Sequence, residues 1–425
     1  MLMRFFYSVL YTLVAPLFLI KLFKKNPGQP FVGKRWPEHF GFSPALRSER
    51  QPIWIHAVSV GEVMAVSPLI KELSLHTDSP ILLTTTTPTG AAQAEKLGDL
   101  VEHRYMPLDC TFAVRRFIRR MQPSRLVIVE TELWPNTLRA VAKAGIPISV
   151  INARLSERSF RRYQKVMPLF NLIAPHLTQV LCQYPDDARR FKELGISSER
   201  VGITGSVKFD FSVTEQVLTA GHQLRDQLGR QRPVWIAAST HKGEDEIVLA
   251  AHQKLLQHKP DALLILVPRH PQRFDDVYAL TQQLGFSVQR RTQQTLLSES
   301  KPSQVYLGDT LGELLLLIQA TDICFMGGSL LGDKVGGHNF IEPAALAKPI
   351  LTGPSYFNFN EIANRLFGVS GLMVVNNDTE LAEKLISLIA NPELSEQTGQ
   401  AAYSVFTDNK GAIEKTIAAL DLTTI

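Results

Sequence analysis

From residue 53 the chain alternates short apolar runs of four to six residues with amphipathic stretches. The runs at 53–57, 81–85, 126–130, 148–152 and 179–182 are rich in Val, Ile and Leu. Strands covered on both faces read this way, so parallel strands are predicted, with helices between them at 63–75 and 111–121. The pattern restarts near residue 234. New runs fall at 234–238, 263–267, 305–307, 323–326, 349–352 and 372–375, with helices predicted at 244–257 and 313–319. Two consecutive strand–helix series imply an α/β chain of two Rossmann-like, doubly wound domains. Strand signals stop at 204–214 and a polar helix follows, which marks the join. The expected domains are therefore 26–210 and 211–425, with the last helix free to cross back to the first domain. Ligands bind beyond the carboxyl ends of strands in this fold class, so the two domains are expected to face each other across a cleft.

The first residues follow another pattern. Residues 5–20 are almost purely apolar, Leu22 and Phe23 follow Lys21, and then come Lys24, Lys25, Lys34 and Arg35. A membrane span needs about 20 apolar residues, so this stretch is short for one. A signal peptide would carry its charge before the apolar run and end in a small-residue cleavage site. The basic cluster after the run predicts an N-terminal membrane-anchor helix at 1–25, with the bulk of the chain on the cytoplasmic face. A helix lying in the interface, or one buried in the core, remains open as an alternative.

Composition changes this picture little. The chain has 425 residues, 45% hydrophobic and 20% charged, which suits two packed domains. Its net charge of +5 fits an anionic membrane surface. Nucleic acid is not an expected partner, because the basic residues lack interleaved aromatics. The three cysteines form no CxxC pair, which argues against a disulfide framework and a zinc site.

The chemistry-bearing residues follow the strands. In His56-Ala57-Val58-Ser59-Val60-Gly61-Glu62, Ser59 and Glu62 have capping-box spacing. The same Glu62 is also placed to act as a general base, and the balance between helix dipole and desolvation on its pKa stays open. Glu130 ends an apolar run before Thr131-Glu132-Leu133-Trp134-Pro135-Asn136, and a carboxylate there needs a partner or a task. Lys208, in Gly205-Ser206-Val207-Lys208-Phe209-Asp210, is either a solvated linker residue or a cation aimed at an anionic donor. Ala238-Ser239-Thr240-His241-Lys242-Gly243-Glu244 offers an anion site or a helix cap. Pro268-Arg269-His270-Pro271 holds an arginine on a stiff turn, suited to an anion clamp. Gly327-Gly328-Ser329 and Gly336-Gly337 allow close backbone approach to a phosphate or sugar, and Asn339 with Glu342 opens the next helix. Two basic helix faces, Arg115, Arg116, Arg119 and Arg120, then Arg158, Arg161, Arg162 and Lys165, suit anionic lipid or plain solvation.

In order along nearly the whole chain, these stretches, with Asn152-Ala153-Arg154-Leu155-Ser156 and the segment 308–314, resemble the 3-deoxy-D-manno-octulosonic acid (Kdo) transferases. The resemblance implies a GT-B type inverting glycosyltransferase at the bacterial inner membrane. Its donor would be CMP-Kdo and its acceptor the tetraacyl disaccharide precursor of lipid A. It implies Glu62 as general base, with Glu130 and Lys208 supporting the transition state. It assigns CMP binding to Pro268 and Arg269, to Leu311, Gly312 and Glu313, and to Asn339, Phe340, Ile341 and Glu342. It implies no metal or cofactor. Phe340-Ile341 departs from the Pro-Leu expected in many relatives, which touches only local loop shape. Two other readings share these motifs: a soluble nucleotide-sugar epimerase of the same fold, and a non-catalytic, membrane-tethered nucleotide-binding module.

Overall fold

The computed structural model describes residues 7–9, 11, 13, 31–293 and 303–421. Most of the expected anchor, 1–25, lies outside the described residues. Among the described residues no helix is long and apolar enough to cross a membrane. The chain divides into two compact units, residues 1–211 with 409–425, and residues 212–408.

The first unit holds seven parallel strands in the order β3-β2-β1-β4-β5-β6-β7. They are β1 (Ile53–His56), β2 (Ile81–Thr85), β3 (Glu102–Tyr105), β4 (Arg125–Val129), β5 (Ile148–Ala153), β6 (Gln179–Cys182) and β7 (Val201–Ile203). The sheet of the second unit is also seven-stranded and parallel, in the order β10-β11-β9-β8-β12-β13-β14. Its strands are β8 (Val234–Thr240), β9 (Leu263–Pro268), β10 (Val288–Arg290), β11 (Val305–Leu307), β12 (Ile323–Met326), β13 (Ile350–Thr352) and β14 (Leu372–Val374). The two doubly wound domains are therefore present. Strand order reverses between β1 and β4 in one sheet and between β8 and β12 in the other. Such reversals leave a crevice at the carboxyl ends of the strands.

Three strands escaped the sequence pattern: β3, β7 and β10. Each lies at the edge of its sheet, where one flank faces solvent and a continuous apolar run is not required. β3 reads Glu-His-Arg-Tyr, and only Tyr105 of the four is buried. The central strands β1, β8 and β9 are buried at every position. A large indole sits fully buried in each core. Trp54 Nε1 donates to Thr84 Oγ1 at 2.8 Å, and Trp235 Nε1 donates to His252 Nδ1 at 3.1 Å. Each buried indole N–H is thus satisfied.

The helix Ala412–Leu420 returns to the first unit. Ala412, Ile413 and Leu420 pack in one buried cluster with Val63, Val66, Ile70 and Leu73. Asp210 fixes its start: the carboxylate accepts Gly411 N–H at 2.6 Å and Ile413 N–H. An anion accepting the first N–H groups of a helix stabilises it through both hydrogen bonds and the helix dipole.

In the second unit a fully buried carboxylate organises the turn after β12. Glu244 accepts N–H groups from Gly328 at 2.6 Å, Ser329 at 2.9 Å, Leu330 at 3.0 Å and His241 at 3.1 Å. The turns after β8 and β12 are therefore held together by one side chain.

Two outcomes follow from these clasps. Asp210→Ala should lower stability by about 1–2 kcal/mol and speed proteolytic cleavage near residue 410; urea unfolding and limited proteolysis measure both. Glu244→Ala strands buried N–H groups and should cost about 3 kcal/mol or more, whereas Glu244→Gln keeps one accepting oxygen and should lose less, both read from the urea midpoint.

Candidate functional site

In the first unit the candidate residues gather where strand order reverses. After β1 the backbone turns into the helix Val60–His76, with Ser59 as its N-cap. Ser59 Oγ accepts Glu62 N–H at 3.4 Å, and Glu62 Oε2 accepts Val58 N–H at 2.8 Å. The capping reading of this spacing is thus realised. The carboxyl is nevertheless perturbed: burial pushes its pKa up to about 7, with Glu130 and Glu132 adding to the rise against the lowering effect of Val58 N–H and Ser59. Desolvation outweighs the stabilisation at the helix start, a balance the residues alone left undecided.

After β4, Glu130 adopts a left-handed backbone with φ 62°. A non-glycine residue in this region costs about 1–2 kcal/mol and persists only where its surroundings hold it. Its carboxylate lies 4.0 Å from Lys208 Nζ, both side chains partly exposed. Lys208 rides on the short turn Val207–Phe209, whose flanking side chains Val207 and Phe209 are buried. Asn152, at the end of β5 with φ 49°, is itself fully buried, and its Oδ1 accepts Val207 N–H at 3.3 Å. The lysine is therefore placed by the core rather than left to a linker.

Glu130 and Glu132 do not cap the helix Pro135–Lys143, although both lie just before it in sequence. Asp109 does this instead, accepting Asn136 N–H at 3.1 Å and Thr137 N–H at 2.6 Å. Tyr7 donates to the same carboxylate at 2.8 Å, and Tyr11 packs edge-on against Trp134. Glu132, which the sequence did not single out, has its pKa raised by burial and by Glu130. Three carboxylates thus share one neighbourhood. Near them runs the helix Glu157–Lys165, whose Tyr163 pKa is raised by burial and by Glu132. This helix exposes Arg158, Arg161, Arg162 and Lys165, of which, among the described residues, only Arg161 is ion-paired, to Glu157 at 2.9 Å. On the helix Thr111–Met121, Arg115, Arg119 and Arg120 are exposed, whereas Arg116 stacks on Phe42 at 3.8 Å.

In the second unit Pro268 closes β9 and is buried, and Arg269 beside it is exposed. The Arg269 guanidinium has no hydrogen-bond or ion-pair partner among the described residues. Glu342 has its pKa raised by burial and lowered by Arg269 and by a hydrogen bond from Asn339. Asn339 Oδ1 also accepts Ile341 N–H at 3.1 Å, opening the helix Ile341–Ala345. Phe340 and Ile341 are buried, so they shape the loop from beneath. Leu311 is 75% exposed, and Gly312 turns with φ 81°. Glu313 accepts from Arg291 Nη2 at 2.9 Å and Nε at 3.1 Å, which lowers its pKa.

The glycine pairs serve differently from the expectation. The N–H groups of Gly328, Ser329 and Leu330 are taken by Glu244, so they form no open phosphate cradle. A Cβ on Gly328 would stand 2.8 Å from the His338 ring, and one on Gly336 would stand 2.5 Å from the Phe357 ring. These glycines make room for side chains. His338 in turn meets His241, which stands edge-on to His270, a grouping that distant sequence positions gave no hint of. Among the described residues no group of three or more His, Cys, Asp or Glu is arranged to hold a metal ion.

Known proteins show the same organisation. Residues 34–211 match the family described as 3-deoxy-D-manno-octulosonic-acid transferase (kdotransferase), and residues 234–405 match glycosyl transferases group 1. The 3-deoxy-D-manno-octulosonic acid transferase of Haemophilus influenzae is 40% identical over 98% of this chain and 98% of its own. That of Bordetella pertussis is 35% identical over 87% of each. In fold, the chain is similar to the UDP-GlcNAc 2-epimerase of Neisseria meningitidis bound to UDP-GlcNAc, with TM-score 0.57 over 87% of this chain and all of the other, at 15% identity. That likeness is one of architecture, whereas the sequence match runs end to end, and on it the chain belongs to the 3-deoxy-D-manno-octulosonic acid (Kdo) transferase family, a family of glycosyltransferases.

Proposed function

We propose that the chain moves Kdo from CMP-Kdo onto the tetraacyl disaccharide precursor of lipid A, inverting the anomeric carbon, at the cytoplasmic face of a bacterial inner membrane. The observation that carries the chemistry is the Glu62 carboxyl, raised to about 7 at the strand-order reversal and neighbouring Glu130. A base with a pKa near the working pH combines a useful ionised fraction with real proton affinity.

In the reaction, a primary hydroxyl of the acceptor attacks the anomeric carbon of Kdo. The new bond is oxygen to anomeric carbon, and the bond that breaks joins that carbon to the phosphate oxygen. The electron pair leaves with CMP, and the hydroxyl proton passes to Glu62. Charge grows on the departing phosphate, and Lys208 supplies a fixed positive group for it, with Glu130 holding the ammonium. In this reading Glu342 accepts ribose hydroxyls and Arg269 meets an anionic oxygen. The exposed arginines of Glu157–Lys165 offer counter-charges for acceptor phosphates close to the carboxylate group. The apolar stretch 5–20 and the basic residues after it support membrane attachment.

The direct test incubates detergent-solubilised protein with CMP-Kdo and the lipid A precursor, and weighs the lipid by mass spectrometry. Product without a lipid acceptor would favour an epimerase, and CMP binding without any turnover would favour a tethered binding module. Glu62→Ala should keep CMP binding and lose turnover by about 10²–10⁴-fold; near-normal kcat would refute the base assignment.

The raised pKa also fixes a pH profile. Glu62 must be ionised to accept a proton, so kcat/KM should climb through an acidic limb near pH 7 and then level. Glu132 raises the Glu62 pKa by like-charge repulsion, so Glu132→Gln should move that limb to lower pH. A limb that stays in place would remove Glu132 from this role.

A further inference from the structure

Three imidazoles meet beyond the carboxyl ends of the second sheet. His241 follows β8, His270 follows β9, and His338 lies between the second glycine pair and Asn339. The rings of His241 and His338 are nearly coplanar, 10° apart, with Nε2 atoms separated by 2.8 Å. One ring N–H therefore donates to the bare nitrogen of the other. His270 stands edge-on to His241 at 5.3 Å and 90°. Two nitrogens bound to one zinc ion stand roughly 3.4 Å apart, so the 2.8 Å pair is closed to a shared metal.

The surroundings of this trio are cationic. His241 faces His270, Arg273 and Arg269, with Asp245 as the opposing charge. His338 faces His241, Arg269 and His270, and burial together with them pulls its pKa down to about 4. Arg273 is spent on Asp245 and on Thr240 O at 2.9 Å. Arg269 is not spent: neither its guanidinium, nor Nδ1 of His241 and His338, nor the His270 ring, makes a hydrogen bond among the described residues. Ring nitrogens and a guanidinium, unpartnered among the described residues and partly open to solvent, lie side by side at a strand-order reversal, where ligands bind. The neighbouring N–H groups that could have served an anion are occupied by Glu244.

We propose that His241, His270 and His338, together with Arg269, form an anion subsite that holds an acidic oxygen group of the donor, its phosphate or its sugar-acid carboxylate, apart from the nucleoside contacts. This rests on the donor reading above. An anion set among these rings offsets the like-charge repulsion acting on His241 and His338 and gives imidazole N–H groups and Arg269 a shared acceptor.

The test uses full-length protein in detergent, carrying His241→Ala or His270→Ala. His270 is exposed, so its variant keeps the experiment decisive if removal of His241 perturbs the fold. Titrations with cytidine and with CMP are paired with the KM for CMP-Kdo. Cytidine binding should be unchanged, while a charged ligand should weaken about tenfold. Loss already present with CMP assigns the phosphate, and loss confined to CMP-Kdo assigns the carboxylate; both support the subsite. Equal loss for cytidine, or no loss for any ligand, overturns it. Wild-type protein that binds none of the three refutes the donor reading itself, and the subsite with it.

Discussion

Parallel pairing is the constraint from which the rest follows. Because every strand in each sheet runs the same way, all carboxyl ends share one edge, and every connecting turn there starts from a fixed platform. The single reversal of strand order then decides which turns become neighbours. In the first unit it sets the turn of Glu62 beside that of Glu130; in the second it sets the turn of His241 beside that of Gly328. Residues 68 and more positions apart in sequence are thus brought to one edge by backbone hydrogen bonding, before any side chain selects a partner.

At those edges the chain accepts strained backbone conformations. Glu130, Asn152 and Ser239 all hold positive φ without being glycine, each at or just after the carboxyl end of a strand. Each costs about 1–2 kcal/mol, and each is held by its surroundings. Glu130 N–H donates to Ile151 O at 3.0 Å, and the Asn152 side chain accepts Val207 N–H. The strain aims side chains that ordinary strand geometry would send into the sheet. Carboxylates that cap backbone N–H groups play the complementary part. Glu244, Asp109 and Asp210 accept backbone N–H groups at turns and helix starts, and so fix the frame around the more exposed Glu62, Glu130 and Arg269.

How far the sequence revealed this depends on what each feature rests upon. Central strands and the two-domain plan were legible because burial on both faces demands unbroken apolar runs. The edge strands β3, β7 and β10 were not, since one solvent-facing flank relaxes that demand. Glu62 and Glu130 were legible as carboxylates after strands, but the direction of the Glu62 shift was not. It depends on burial and on Glu132, which no spacing rule encodes. The glycine pairs misled for a similar reason. Glycine marks a close approach without saying by what, and here His338 and Phe357 approach, while Glu244 takes the N–H groups. The histidine trio was invisible because it joins three separate turns through tertiary structure alone.

The clasp between Asp210 and the helix Ala412–Leu420 makes the first unit discontinuous along the chain. During synthesis the face formed by Val63, Val66 and Ile70 emerges early, yet Ala412, Ile413 and Leu420, which pack on it, follow only after the whole second unit. At about 5–20 residues per second, the intervening 197 residues from 212 to 408 delay that cover by roughly 10–40 seconds. For that interval the nascent first unit presents an apolar stripe on Val60–His76.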